Sequence, residues 1–136
     1  MVMAGGTQLD TASFSNKTVM IVDDELFFRE VLRDILTQGG FTIVAEVADG
    51  SEAAAKYRIH RPAITIMDIF MPGKNGIETT QEIVSFDKDA KVLICSGVGF
   101  DDDIEAAYQA GARGVILKPL IPEEIMETIN KVLGNT

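Results

Sequence analysis

Apolar positions in this chain follow two alternating rhythms. Four short runs, Val19-Met20-Ile21-Val22, Ile64-Thr65-Ile66-Met67, Val92-Leu93-Ile94-Cys95 and Val115-Ile116-Leu117, are almost wholly apolar and rich in β-branched residues. Strands covered on both faces of a parallel sheet have this character. Phe41 to Val47 reads as a further strand, second in chain order. Between the runs the spacing lengthens to that of a helix. Phe28, Val31, Leu32, Ile35 and Leu36 lie on one helical face, and Gly39-Gly40 ends that segment. Ser51 can cap a helix running through Tyr57. Gly76 to Phe86 carries another, with Ile77, Ile83 and Val84 inward, and residues 87 to 90 link it to the fourth strand. Asp101-Asp102-Asp103 puts negative charge on the first turn of a helix bearing Ile104, Ala107 and Tyr108, and Gly111 can supply its left-handed exit. Pro122 opens a last helix carrying Ile125, Met126, Ile129, Val132 and Leu133 before Gly134. Strict alternation of five strands and five helices predicts an α/β fold with right-handed crossovers, a doubly wound parallel sheet spanning residues 17–134. Residues 1–16 are small, polar and aperiodic, and are expected to form a flexible tail.

Composition narrows the function classes. A chain of 136 residues, 46% hydrophobic, suits one domain with a packed core. With 21 acidic against 12 basic residues and a formal charge of −9, it lacks the basic surface that nucleic-acid binding requires. No apolar stretch approaches a membrane span and no export signal is visible, so a cytoplasmic location is expected, and separately a monomer. The single cysteine, Cys95, cannot form an internal disulfide and reads as a core residue.

The candidate chemistry lies where the apolar runs stop. Asp23-Asp24, Asp68, Ser96 and Lys118-Pro119 each follow a strand directly. In open α/β sheets ligands bind beyond the carboxyl ends of the strands, so these side chains can converge. Carboxylates brought together repel by ~4 kcal/mol per pair at about 4 Å with an effective dielectric constant near 20, and a bound cation relieves that repulsion. Hard oxygen ligands in a shallow, open site favour Mg2+, which retains waters and accepts phosphate oxygens. An aspartate beside such an ion can act as a nucleophile toward phosphorus, with Lys118 offsetting charge on the phosphoryl oxygens and Ser96 donating a hydrogen bond to one of them. Taken singly, each residue also has a plain structural role. Paired aspartates cap helices, Asp68 can open the turn Met71-Pro72-Gly73-Lys74-Asn75-Gly76, a lysine at a strand end snorkels to water, and Ser96-Gly97 is an ordinary turn signal. His60, the only histidine, stands beside Arg61-Pro62 and reads as a solvated residue of a connection.

Taken together, Val22-Asp23-Asp24, the segment from Asp68 to Gly76, Cys95-Ser96-Gly97, Ala110-Gly111-Ala112 and Lys118-Pro119 resemble the motifs of response-regulator receiver domains, most closely the single-domain chemotaxis type, over about Lys17 to Leu133. That resemblance implies the flavodoxin-like strand order 2-1-3-4-5, of which chemotaxis receivers are themselves a standard example. It implies Asp68 as phosphoacceptor, Mg2+ bound by Asp24, Asp68 and the Phe70 carbonyl with Asp23 acting mainly through water, and Ser96 and Lys118 on the phosphoryl group. A histidine kinase or histidine phosphotransfer protein is the implied donor, since the chain has no G-x-x-x-x-G-K-[ST] nucleotide loop. A downstream protein would bind the face of the fourth helix, fifth strand and fifth helix. The result is a switch, not an enzyme in the ordinary sense. Where the family carries an aromatic residue three places before the lysine, repositioned on phosphorylation, this chain has Val115, so either Ser96 and the loop Val98-Gly99-Phe100 carry the change without it or this receiver switches differently. Phe70 and Val98, two places beyond Asp68 and Ser96, are expected to border the path of the water that hydrolyses the phosphoaspartate.

Other readings predict different features. A magnesium-dependent aspartyl-phosphate phosphatase typically carries D-x-D-x-[TV] after its first strand, which Asp23-Asp24-Glu25 does not match. A flavin-binding electron carrier of the same topology needs a first loop rich in Ser, Thr and Gly. Within the receiver reading, a phosphorelay intermediate and a fragment of a larger regulator are further options, although Gly134-Asn135-Thr136 reads as a natural end.

Overall fold

A computed structural model describes residues 17–97 and 101–134. The expected tail, 1–16, and the loop Val98-Gly99-Phe100 lie outside them. The elements run β1 (Thr18–Val22), α1 (Leu26–Gln38), β2 (Thr42–Val47), α2 (Gly50–His60), β3 (Ile64–Asp68), α3 (Gly76–Phe86), β4 (Val92–Ser96), α4 (Asp101–Ala110), β5 (Gly114–Leu117) and α5 (Pro122–Leu133). All strand pairs are parallel and the order is β2-β1-β3-β4-β5.

The pleat sorts the core into two layers. Val19, Ile21, Ile64, Ile66, Leu93, Cys95 and Ile116 pack with Leu32 and Leu36 of α1 and Ile125 and Ile129 of α5. Met20, Val22, Met67, Val92 and Ile94 face the other way, toward Ala53 and Tyr57 of α2, Ile83 of α3 and Ala107 of α4. β3 and β4 are buried at every position, which explains their unbroken apolar runs. β2 is an edge strand, exposed at Thr42 and only partly buried over the next four residues.

Two local expectations differ from the structure. The cap of α2 is Asp49, not Ser51: the Asp49 carboxylate accepts from both the peptide N–H and the hydroxyl of Ser51, at 2.8 Å each. A carboxylate one residue before the helix reaches its free N–H groups, whereas Ser51 is already inside the first turn. α2 also continues past Tyr57 to His60 and stops at Arg61, which adopts a left-handed conformation (φ 44°) just before Pro62. His60 is thus an exposed residue of the last helical turn and not of a connection.

The connection after β3 returns sharply to the sheet. Gly76 N–H donates to the Ile69 carbonyl at 2.7 Å, and the Asn75–Glu78 capping box starts α3 at that point. A Cβ on Gly76 would lie 2.0 Å from the Asp68 carbonyl oxygen, which only glycine avoids. The predicted left-handed exit of α4 is present at Gly111, with φ 115°. Gly76→Ala is expected to destabilise the protein by about 1–3 kcal/mol in urea unfolding, as overpacking does, although helix propensity alone would favour alanine by about 1 kcal/mol. A variant as stable as the wild type would show that the loop relaxes freely.

Candidate functional site

Strand register determines which side chains meet. Val22 pairs with Met67, Asp68 with Cys95, and Ser96 with Leu117. One step beyond the Val22–Met67 pair, Asp23 and Asp68 leave adjacent strands side by side. Ile21, Ile66, Cys95 and Ile116 all point to the layer covered by α1 and α5. Alternation sends Asp23, Asp68 and Lys118 to that same side. The Lys118 N–H donates to the Ser96 carbonyl at 2.8 Å, tying the ends of β4 and β5 together. The Lys118–Pro119 peptide that follows is cis.

The acidic turn after β1 is held by its backbone. Asp23 N–H donates to the Val47 carbonyl at 3.0 Å, and Glu25 N–H donates to Asp23 Oδ1 at 2.9 Å. Arg29 Nη1 donates to the Asp23 carbonyl at 2.7 Å, while its Nε lies 3.3 Å from Glu46 Oε1. Glu46 also accepts from Arg33 Nε at 2.7 Å. Asp23 is only 1% exposed, and its Oδ2 is buried without a hydrogen-bond partner. Carboxylate oxygens of Asp23, Asp24 and Glu25 lie within 4.8 Å of one another. Glu25 was not among the candidates from sequence; its place directly after the aspartate pair is the signal that marks it.

Asp68 stands opposite this turn, 6% exposed, with Lys118 Nζ 3.6 Å from its Oδ1. Burial pushes its carboxyl group from the ordinary 3.8 up to about 6, and the negative charge of Asp23 adds to the rise; Lys118 and the Ile69 N–H oppose it. Burial raises the Asp23 carboxyl as well. Ser96 is buried and its hydroxyl donates to the Gly97 carbonyl at 3.2 Å. Phe70 lies in the bend just beyond Asp68 and is 56% exposed. Lys118 also sits 4.0 Å from the ring centroid of Phe28, a residue that helical spacing alone assigned to the core face of α1. Cys95 is buried, and burial pushes its thiol up to about 12, as suits a core residue.

The residues present fit a hard divalent cation. All side-chain donors are carboxylate oxygens, one of them is buried and unpaired, and burial holds the Asp23 and Asp68 carboxyl groups above their ordinary pKa, a cost that a bound cation would offset.

The model of the response regulator receiver domain matches residues 19–130 of this sequence. The chain belongs to that family. It is 42% identical over 116 residues to the chemotaxis protein CheY of Thermotoga maritima, covering 85% of this chain and 97% of that one. Against the Bacillus subtilis chemotaxis protein CheY the identity is 41%, with the same coverage. A crystal structure of a CheX-CheY-BeF3-Mg2+ complex from Borrelia burgdorferi superposes with a TM-score of 0.81 at 36% identity, covering 85% of this chain and 87% of that one. The flavodoxin-like fold and the CheY-like receiver class follow, and with them the role of a phosphoacceptor switch in a two-component system. Receiver domains bind Mg2+ at an acidic cluster and interact with histidine kinases and downstream targets. Among the described residues no helix is long and apolar enough to cross a membrane.

The raised carboxyl groups make stability depend on pH and metal. A native pKa above the unfolded value means that the folded state holds the extra proton, so stability falls as pH rises through the window from about 4 to 6. Asp49 and Asp87 are shifted down instead, so their opposite contribution lies in more acid solution. Without metal, the melting temperature should therefore be lower at pH 7 than at pH 5, and Asp68→Asn should flatten the difference. At pH 7, Mg2+ should raise the melting temperature in proportion to its logarithmic concentration, and Asp24→Ala should largely abolish that rise. An Asp24→Ala protein that responds as the wild type does would remove Asp24 from the ligand set.

Proposed function

We propose that Asp68 is the phosphoacceptor of this switch. The observation that carries this reading is a buried carboxylate at the end of β3, flanked by Asp23 on one side and by the Lys118 ammonium at 3.6 Å on the other. With a pKa of about 6, Asp68 is mostly ionised near neutral pH and able to attack phosphorus. As the new O–P bond forms, the P–N bond of a donor phosphohistidine breaks and its electron pair leaves on the imidazole. Lys118 balances negative charge on the phosphoryl oxygens, and Ser96 donates its hydroxyl hydrogen to one of them.

Asp24, Asp68 and the Phe70 carbonyl would hold Mg2+, with Asp23 acting mainly through a bound water. When bound, the ion supplies charge neutralisation for the carboxylates and the transferred group. The donor is a histidine kinase or a histidine phosphotransfer protein, and the downstream target engages the α4–β5–α5 face. Likeness to chemotaxis proteins along almost their whole length supports a chemotaxis-type role for a single receiver.

Incubation with a small acyl phosphate and Mg2+ should add one phosphoryl group, located at Asp68 by mass spectrometry and lost in Asp68→Asn. Equal adduct yield in the variant would defeat the assignment. The phosphorylated form should also be comparatively long-lived. Phe70 offers no side-chain hydrogen bond with which to orient an attacking water, and Val98 has none by its chemistry. Phe70→Asn combined with Val98→Glu should therefore accelerate first-order loss of the phosphoryl group after donor removal, with about 1.4 kcal/mol corresponding to each tenfold change. Unchanged or slower loss would show that other groups govern the water.

A further inference from the structure

The lysine of this site has, among the described residues, a carboxylate within ion-pair distance and an aromatic ring beside it. Lys118 Nζ lies 3.6 Å from Asp68 Oδ1 and 4.0 Å from the centroid of the Phe28 ring. The ring comes from the first turn of α1, directly before Arg29, whose guanidinium fixes the Asp23 carbonyl. Phe28 is also part of an apolar cleft with Phe27, Val31, Pro119 and Leu120, in which Lys118 is the one charged member. The lysine side chain is 20% exposed, so its charged end is held partly away from water by the ring and the cleft.

An aromatic face suits a lysine that must receive a second anion. A ring centroid within about 6 Å attracts an ammonium through its quadrupole, most strongly where water is displaced. Unlike a second carboxylate, the ring brings no full negative charge to compete with phosphoryl oxygens. Unlike water, it does not need to be displaced by them. A flexible four-carbon stem is thereby confined near Asp68 before the donor arrives, which reduces the ordering needed in the transition state.

We propose that Phe28 is a positioning residue for phosphoryl transfer, acting through a cation–π contact that holds the Lys118 ammonium beside Asp68. This inference rests on Asp68 being the phosphoacceptor. It concerns the rate of acquiring the phosphoryl group and leaves the carboxylates of the metal site untouched.

The test replaces residue 28 of the full chain with mono-, di- and trifluorophenylalanine, which keep the ring's size while draining its negative face, and separately makes Phe28→Leu and Phe28→Tyr. Phosphorylation rate constants with an acyl phosphate at saturating Mg2+ are compared with Mg2+ affinity from calorimetry and with melting temperatures. The expected result is a stepwise fall in rate along the fluorinated series, a loss of about 3- to 10-fold in Phe28→Leu, recovery in Phe28→Tyr, and unchanged Mg2+ affinity throughout. The fluorinated series decides the matter even if Phe28→Leu folds poorly, because ring shape is preserved. Formation of the Asp68 adduct at one rate across that series would overturn this inference alone. Absence of any adduct on the wild-type chain, with Asp68→Asn indistinguishable from it, would overturn the phosphoacceptor reading and this inference with it.

Discussion

Two carboxylates buried side by side at the end of a parallel sheet are the constraint around which this molecule is arranged. Asp23 and Asp68 leave neighbouring strands in register and on the same side, where water reaches neither freely. Desolvation opposes both charges, and like charges add to it: Asp23 for Asp68, and Asp24 and Glu25 for Asp23. The fold answers with Lys118, whose ammonium lowers the pKa of both carboxyl groups from a distance longer than a hydrogen bond to Asp68. That partial compensation leaves the site short of positive charge. A site in this condition gains from a divalent ion and from a ligand that engages the lysine, which is the electrostatic support for the proposed phosphoacceptor role.

Rigid surroundings keep those charges from drifting apart. β1, β3 and β4 are buried ladder strands, so their carboxyl ends are fixed by the sheet and not by loops alone. The Asp23 carbonyl is pinned by Arg29, itself beside Glu46 on the edge strand. On the other flank the chain beyond Asp68 is turned back by the Gly76–Ile69 hydrogen bond, with a glycine where any side chain would strike the Asp68 carbonyl. The site therefore depends on two contacts outside it, one to β2 and one at the start of α3.

Most of this architecture was legible because two chemical signals coincided in the sequence: apolar runs with no polar face mark buried parallel strands, and each run stops at a charged or hydroxyl residue. The strand bounds differ from the four apolar runs by only one residue, at Thr18, Asp68, Ser96 and Gly114, because the ladder continues into polar or small residues that a hydrophobic criterion excludes. The cap of α2 was misassigned because Asp49 and Ser51 are both good capping residues, and only the backbone shows which lies outside the helix. Helical spacing placed Phe28 on the apolar face of α1 and could not reveal that this face meets Lys118 at its first turn. Glu25 was passed over for a related reason: the resemblance supplied two acidic positions, while the turn brings a third carboxylate into the same cluster.

The same sheet constrains how a change at the site can reach the surface. Val115 packs, partly buried, against the core layer that includes Ile83 and Ala107. A β-branched side chain has a restricted χ1 and no ring to swing, so a large rotamer change is not available there. Leu117 and Ile121, by contrast, are 46% and 39% exposed just before and after Lys118-Pro119. Their backbone follows the lysine, whose N–H is bonded to the Ser96 carbonyl. A displacement of Ser96 or Lys118 would therefore act first on that hydrogen bond, and through it on Leu117 at the end of β5 and Ile121 before α5.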